Sequence, residues 1–356
     1  MKRIIFANKK AMIYSRHSLD KAGEYLLGDD PFKRNDALEK IRSWRETHLF
    51  VLQKFYDQLK SYLETNDIGY SFSSMRIKRM TSIESKLRNN KDKGMKLGGL
   101  QDIGGARVVV RDIQSLDKLS SALTLFTPKD FRLTKAYDYV DAPKESGYRS
   151  IHYVYKYGSE DKTYDGLSIE LQTRTKLQHS WAMAVETASL ISQTTLKAEV
   201  ADGSEWREFF RLVSALFSKE EDRPVLASYK GISDIGLCEK YFHYDESRFI
   251  DQLQALRVTV SLNFENVKGG YCVLIIDFKK KMVHAQAFIN EQKDNAISLF
   301  NNMEQSIKKD EAALMVAIDD INEIKDAYPS YFLDTKDFLD FLMGFSNNCK
   351  LKIIGQ

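Results

Sequence analysis

The chain has 356 residues, of which 43% are hydrophobic and 29% charged, and a formal net charge of +3. That length exceeds one hydrophobic core, which stops growing near ~250–300 residues, so two domains are expected. No apolar run approaches the ~18 residues that span a bilayer, no apolar segment of a signal peptide follows Met1 to Phe6, and near-neutrality excludes nucleic-acid coating of the whole surface.

A cytoplasmic protein with no membrane partner is therefore expected. Apolar residues recur at helical spacing over Ser18 to Leu27 and again over Asp36 to Leu63, where Leu38, Ile41, Trp44, Leu49, Leu52, Phe55, Tyr56, Leu59 and Leu63 form one stripe. Asn66-Asp67-Ile68-Gly69 ends that second helix. Tyr70 to Leu87 reads as a short strand feeding a helix with Thr81 or Ser82 as N-cap. Bare helix N–H groups beside Arg76, Lys78 and Lys86 make a seat for phosphates. Lys86, Arg88, Lys91, Lys93 and Lys96 form a basic run, either a solvated loop or a patch that tracks phosphates.

The glycines within Lys96 to Val110 let the backbone pass close to a neighbour, and Asp102 stands at the entrance to a β-branched strand. Leu116 to Phe126 is a helix. Phe131 to Tyr139, with Arg132 and Lys135, leads into a loop punctuated by Pro143 and Gly147, whose Lys144, Tyr148, Arg149 and His152 suit a phosphorylated aromatic ligand. Ile151 to Tyr157 is the strand after it. Beyond that, Ile169, Leu171 and Thr173 alternate with Glu170, Gln172 and Arg174, so a strand holds an acid, an amide and a guanidinium in one row. Such a row is either a wet sheet face or a site. Asp102 and Glu170 are the carboxylates to share a divalent ion, since magnesium takes one or two carboxylates plus substrate phosphates. Helices follow over Gln178 to Ile191 and Trp206 to Phe217.

After Pro224 the composition loosens. Helices over Asp234 to Phe242, Ser247 to Ala255, Asp294 to Met303 and Thr335 to Met343 mix with strands over Val258 to Phe264, Tyr271 to Phe278, His284 to Ile289 and Ala312 to Ile318. This predicts a smaller α+β unit over 229–356, beside a larger one over 1–228. Asp319, Asp320, Glu323 and Asp326 read as a solvated surface or a metal cluster. Cys238, Cys272 and Cys349 are odd in number and far apart, which fits reduced, mostly buried thiols.

Taken together, Arg76-x-Lys78 with Ser82 and Lys86, Asp102-Ile-Gly-x-x-Arg107, Tyr139-Val-x-x-Pro143-Lys144-x-x-Gly147-Tyr148-x-Ser150-Ile-His152, and Glu170-Leu-Gln172-x-Arg174-Thr with His179 resemble the RelA/SpoT alarmone synthetase domain over about Leu38 to Ile191. The resemblance implies an α+β fold, a mixed β-sheet of nucleotidyltransferase type flanked by helices. It implies magnesium-dependent transfer of pyrophosphate from ATP to the 3′-hydroxyl of GDP or GTP. By that likeness Arg76 and Arg107 sandwich adenine and Lys78 and Lys86 hold ATP phosphates. Asp102 and Glu170 hold the metal, with Glu170 also drawing the proton from the attacking hydroxyl. Tyr148 stacks on the acceptor base, and Lys135, Lys144, His152, Gln172 and Arg174 line the acceptor side.

Two departures touch the acceptor: Tyr137 stands where many members have Lys, and Ser146 where Asn usually precedes Gly. Some small members are toxins that act on the 3′ CCA end of tRNA, so a tRNA-modifying effector in phage defence is the second reading, and an inactive nucleotide-binding module the third. Long members carry a hydrolase domain with a His-Asp pair. None of the six histidines here precedes Asp, so a synthetase without hydrolase activity is expected. Self-association into a homo-oligomer is left open, and a regulator is expected to act through the C-terminal unit.

Overall fold

The computed structural model describes residues 14–194, 204–242, 259–260, 268–277, 280, 282–306, 311–320 and 335–354. The first helices are α1 (Arg16–Leu27) and α2 (Pro31–Thr65). Their starts are chemically marked: Ser15 caps α1, and the Asp30 carboxylate accepts from the backbone of Phe32 and Lys33, with Pro31 in the first turn of α2. Next come β1 (Phe72–Ile77), α3 (Met80–Asn89), β2 (Gly104–Val110), α4 (Ile113–Leu123), β3 (Phe131–Asp138), β4 (Ile151–Tyr157) and β5 (Ser168–Thr175). The chain continues through α5 (Lys176–Thr194), α6 (Ser204–Glu220), α7 (Asp234–Phe242), β6 (Thr259–Val260), β7 (Lys268–Asp277), β8 (Met282–Ile289), α8 (Lys293–Ser306), β9 (Glu311–Asp320) and α9 (Lys336–Ile354).

All these strands join one mixed sheet of nine, in the order β3-β4-β5-β2-β1-β9-β7-β8-β6. The expected α+β class with a mixed sheet is what the chain adopts. β2 and β5 run parallel while β1 and β4 flank them antiparallel. The C-terminal strands enter through β9, which pairs with β1 at Met75–Ala317 and Arg76–Val316. One core accordingly runs across the 228/229 boundary: Leu52, Phe55 and Leu59 of α2 and Val108 and Leu171 of the sheet share it with Tyr271, Phe300 and Met315. A second core gathers α5, α6, α7 and α9 around Trp181, Phe210, Leu237 and Phe338.

Several expectations change. Cys238 and Cys349 are not thiols but a disulfide with Cα atoms 5.3 Å apart, because the packing of α7 against α9 brings together residues 111 positions apart. Cys272 alone is a free thiol, buried, its pKa pushed up to about 12 by that burial. α3 begins at Met80, ahead of the expected caps Thr81 and Ser82, and Arg79 at the N-cap position makes no side-chain cap bond. A distant group substitutes: the Met80 N–H donates to Glu304 Oε1 of α8 at 3.3 Å. Phe131–Asp138 is itself a strand, β3, at the sheet edge. The expected Ser247 to Ala255 helix and Glu323 and Asp326 lie outside the described residues. Among the described residues no helix is long and apolar enough to cross a membrane.

Candidate active site

Strand alternation divides the sheet into two chemistries. Met75, Ile77, Ala106, Val108, Ile169 and Leu171 pack into the core on one face. Their neighbours Ser74, Arg76, Gly105, Arg107, Glu170 and Gln172 line a cleft on the other, together with Lys78 and Asp102. Register sets them side by side: Arg76 opposite Gly105, Gly105 opposite Glu170, and Arg107 between Ser74 and Gln172. A Cβ at Gly104 would come within 2.7 Å of Ile169 Cδ1 and 3.5 Å of Leu52 Cβ, so this glycine lets α2 and β5 pack closely over the strand beside the cleft.

Asp102 sits just before β2 and faces the residue that follows β1. Its Oδ2 accepts from Lys78 Nζ at 3.0 Å and from Lys86 Nζ of α3 at 2.7 Å. Burial raises the Asp102 pKa, but the two ammonium groups outweigh it and hold the carboxyl at about 2. The other oxygen, Oδ1, is buried with no hydrogen-bond partner. An anion with one oxygen neutralised and the other left without a partner is the donor a hard cation requires. Burial likewise raises the pKa of Glu170; hydrogen bonds from His152 and Gln172 overcome that and leave it below the ordinary value, while Asp102 opposes them as a second negative charge. The two carboxylates therefore line one cleft and sense one another.

Glu170 continues into the loop that precedes β4. Gln172 Nε2 donates to Glu170 Oε1 at 2.6 Å, His152 Nδ1 lies 3.3 Å from Oε2, and the Tyr148 hydroxyl lies 2.8 Å from His152 Nε2. Lys144 places its ammonium 4.1 Å from the Tyr139 ring centre and 5.3 Å from that of Tyr148. Burial lowers the Lys144 pKa, Glu170 opposes the change and Lys86 adds to it, so this lysine faces both halves of the site.

The remaining expected residues stand differently. Arg174, expected on the acceptor side, is 1% exposed, with its pKa pushed down to about 9 by burial and by neighbouring Arg107. It backs the site and presents no surface to a ligand. Lys135 is exposed on edge strand β3, opposite Val154, and does not line the cleft.

Three residues with no role expected from the sequence join the site. Tyr139 stacks on Tyr137 with planes 3° apart; both tyrosines were visible in the sequence, but nothing there showed them parallel. Glu186 of α5 is 3.8 Å from Arg79. Burial raises its pKa, yet Arg76, Arg79, Arg107 and Arg174 hold it below the ordinary value, which makes it the counter-charge to the arginine row. Ser74 completes the cleft wall.

A family profile described as "Region found in RelA / SpoT proteins" matches residues 75–191. The GTP pyrophosphokinase YjbM of Bacillus subtilis (strain 168) is 34% identical over 115 residues, 31% of this chain and 52% of that protein. The GTP pyrophosphokinase rsh of Brucella melitensis biotype 1 is 28% identical over 173 residues, 48% of this chain and 21% of its own. The chain thus spans about half of the first curated relative and about a fifth of the second. The crystal structure of small alarmone synthetase 1 from Bacillus subtilis is 24% identical with a TM-score of 0.41, covering 52% of this chain and 93% of that one.

Proposed function

From the match of residues 75–191 to a region found in RelA/SpoT proteins, we propose that the protein is a pyrophosphokinase that transfers the β,γ-diphosphate of ATP to the 3′-hydroxyl of GDP or GTP. The observation that carries this reading is the single cleft in which Asp102 and Glu170 meet Arg76, Lys78 and Arg107. Planar guanidiniums suit stacking on adenine, and Lys78 and Lys86 suit the phosphates. The acceptor oxygen forms a bond to the β-phosphorus as the bond from that phosphorus to the α-bridging oxygen breaks, AMP leaves, and the hydroxyl proton passes to Glu170. Such transfer is mostly positioning and neutralisation of developing charge, so several cations and one base suffice.

Magnesium fits the donor set, because Asp102 Oδ1 is an orphaned buried oxygen beside a second carboxylate. Asp102 and Glu170 would hold it, and it would supply charge neutralisation at the phosphates. The ion pairs of Lys78 and Lys86 with Asp102 leave both ammonium groups beside the anionic substrate. On the acceptor side, Tyr148 offers its ring to the base while its hydroxyl steers His152 and, through it, Glu170.

A second acceptor class is favoured by one observation: Arg88, Lys91, Lys93 and Lys96 are exposed on the stretch that follows Lys86. A phosphate-tracking ridge there suits the 3′ end of a tRNA. The test is direct: purified protein with ATP labelled in the γ-phosphate and magnesium is offered GDP, GTP or tRNA. Label on GDP or GTP with release of AMP supports the first reading, label on tRNA the second, and label on none with intact ATP overturns both.

A further inference from the structure

The loop carrying Tyr148 is anchored partly from beyond residues 75–191, the stretch that resembles RelA and SpoT proteins. Two internal bonds shape its turn: Lys144 N–H donates to Tyr148 O at 3.2 Å and Gly147 N–H to Lys144 O at 2.8 Å. Its main anchors beyond these come from α5, from α6 and the residue just past it, and from the end of β5. Ser214 Oγ donates to the Gly147 carbonyl at 2.6 Å, Arg211 pairs with Glu145, and the Trp181 ring lies against Gly147.

The strongest anchor is charged and dry. Arg149 and Glu221, 3% and 6% exposed in their side chains, form an ion pair at 2.7 Å. The Glu221 carboxylate also accepts from Gln178 Nε2 at 2.9 Å and from the Thr175 hydroxyl. A buried carboxylate is costly unless its lone pairs are met, and here they are met by Arg149 of the loop and by two groups at the junction of β5 and α5. Arg149 is the chain neighbour of Tyr148, whose hydroxyl reaches His152 and thence Glu170.

We propose that Glu221 is a positioning residue for the acceptor: by holding Arg149 it fixes the loop at 143–150, and so holds Tyr148 and Lys144 toward the Glu170 side of the cleft. This rests on the pyrophosphate-transfer reading. The physical need is clear from what the loop carries. A turn bearing a stacking ring and an ammonium loses affinity for every conformer it must give up on binding, and a clamp removes that loss beforehand. The clamp makes no bond of its own to the ATP residues or to the two carboxylates, so its largest effect falls on the acceptor.

The experiment uses the full chain with Glu221→Gln, Glu221→Asp and Ser214→Ala. Amide hydrogen exchange of peptides covering 143–150 reads the loop without any reaction, and steady-state kinetics read acceptor and ATP separately. Glu221→Gln is expected to speed exchange at 143–150 about tenfold or more while β2 and β5 keep their protection. Acceptor KM should rise about tenfold with kcat and ATP KM within about threefold, and Glu221→Asp should recover part of the loss. Unchanged exchange and acceptor KM in Glu221→Gln overturn the proposal, as does an equal change in the KM for ATP. Should Glu221→Gln not fold, Ser214→Ala reads the same loop without leaving a buried charge, and wild-type exchange there is the overturning result. If the wild-type protein transfers label to no acceptor, the functional reading fails while the exchange arm still decides the clamp.

Discussion

Gly147→Ala is the substitution that tests how tightly the acceptor loop is built. Gly147 has φ +90, a left-handed backbone in which a Cβ would lie 2.9 Å from Trp181 Cζ2, 3.0 Å from Ser214 Cβ and 3.4 Å from Arg211 Cα. None of these neighbours is the loose end of a flexible chain: Trp181 is buried and its indole N–H is bound to the Phe210 carbonyl at 2.9 Å. Left-handed backbone costs an alanine about 1–2 kcal/mol, and forcing a methyl into a packed site adds about 1–3 kcal/mol. The sum, about 2–5 kcal/mol, should appear as lost unfolding free energy in urea titrations followed by circular dichroism. Because the loop can relieve the clash only by lifting off α5 and α6, acceptor KM should rise while ATP KM stays. Stability within about 0.5 kcal/mol of wild type, with unchanged acceptor KM, would refute the packing argument.

Other expectations follow from buried charge. His48 is buried, its Nδ1 bound to the Trp44 carbonyl at 2.9 Å, and burial lowers its pKa from 6.5 to about 4. The unfolded chain therefore takes a proton that the folded chain refuses, so stability is full above pH 6.5 and falls toward pH 4. At ~1.4 kcal/mol per unit this loses ~3 kcal/mol, and His48→Gln should flatten that part of the pH–stability curve; an unaltered curve counts against it. Arg45 and Glu304 form a buried pair at 2.6 Å between α2 and α8. Glu304→Ala should cost about 3–5 kcal/mol, and Arg45→Met with Glu304→Leu should recover most of it; equal melting of the single variant and wild type would remove the pair from the fold's support. In Asp102→Asn, loss of the anion should weaken magnesium-dependent ATP binding by about tenfold or more, and calorimetry showing wild-type affinity would remove Asp102 from the metal's donor set.

The alternation of Ile169, Leu171 and Thr173 with Glu170, Gln172 and Arg174 was legible because strand period alone decides which side chains share a face. It could not place Arg174: periodicity says which face a residue takes, not how deep along that face the helices cover it, and α5 covers this one. Asp102 and Glu170 were recognisable as acids beside strands. Their meeting in one cleft depends on β2 and β5 pairing in parallel, with 65 residues between Asp102 and Ser168 and a register no local signal encodes. The start of α3 escaped for a similar reason, since its cap acceptor is Glu304, far along the chain. Cys238 and Cys349 looked like separate thiols because their contact is made by helix packing, not spacing. The C-terminal strands were legible as strands, whereas their entry into the same sheet beside Arg76 rests on the pairing of β9 with β1.

The most direct measurement compares wild type and Glu170→Gln in transfer from γ-labelled ATP to GDP or GTP, with binding of a non-hydrolysable ATP analogue measured on the same preparations. Loss of the base, with the isosteric amide still able to meet Gln172 and His152, should cut transfer by about 10²–10⁴-fold and leave analogue affinity within a few-fold. Wild-type turnover in Glu170→Gln would contradict the account.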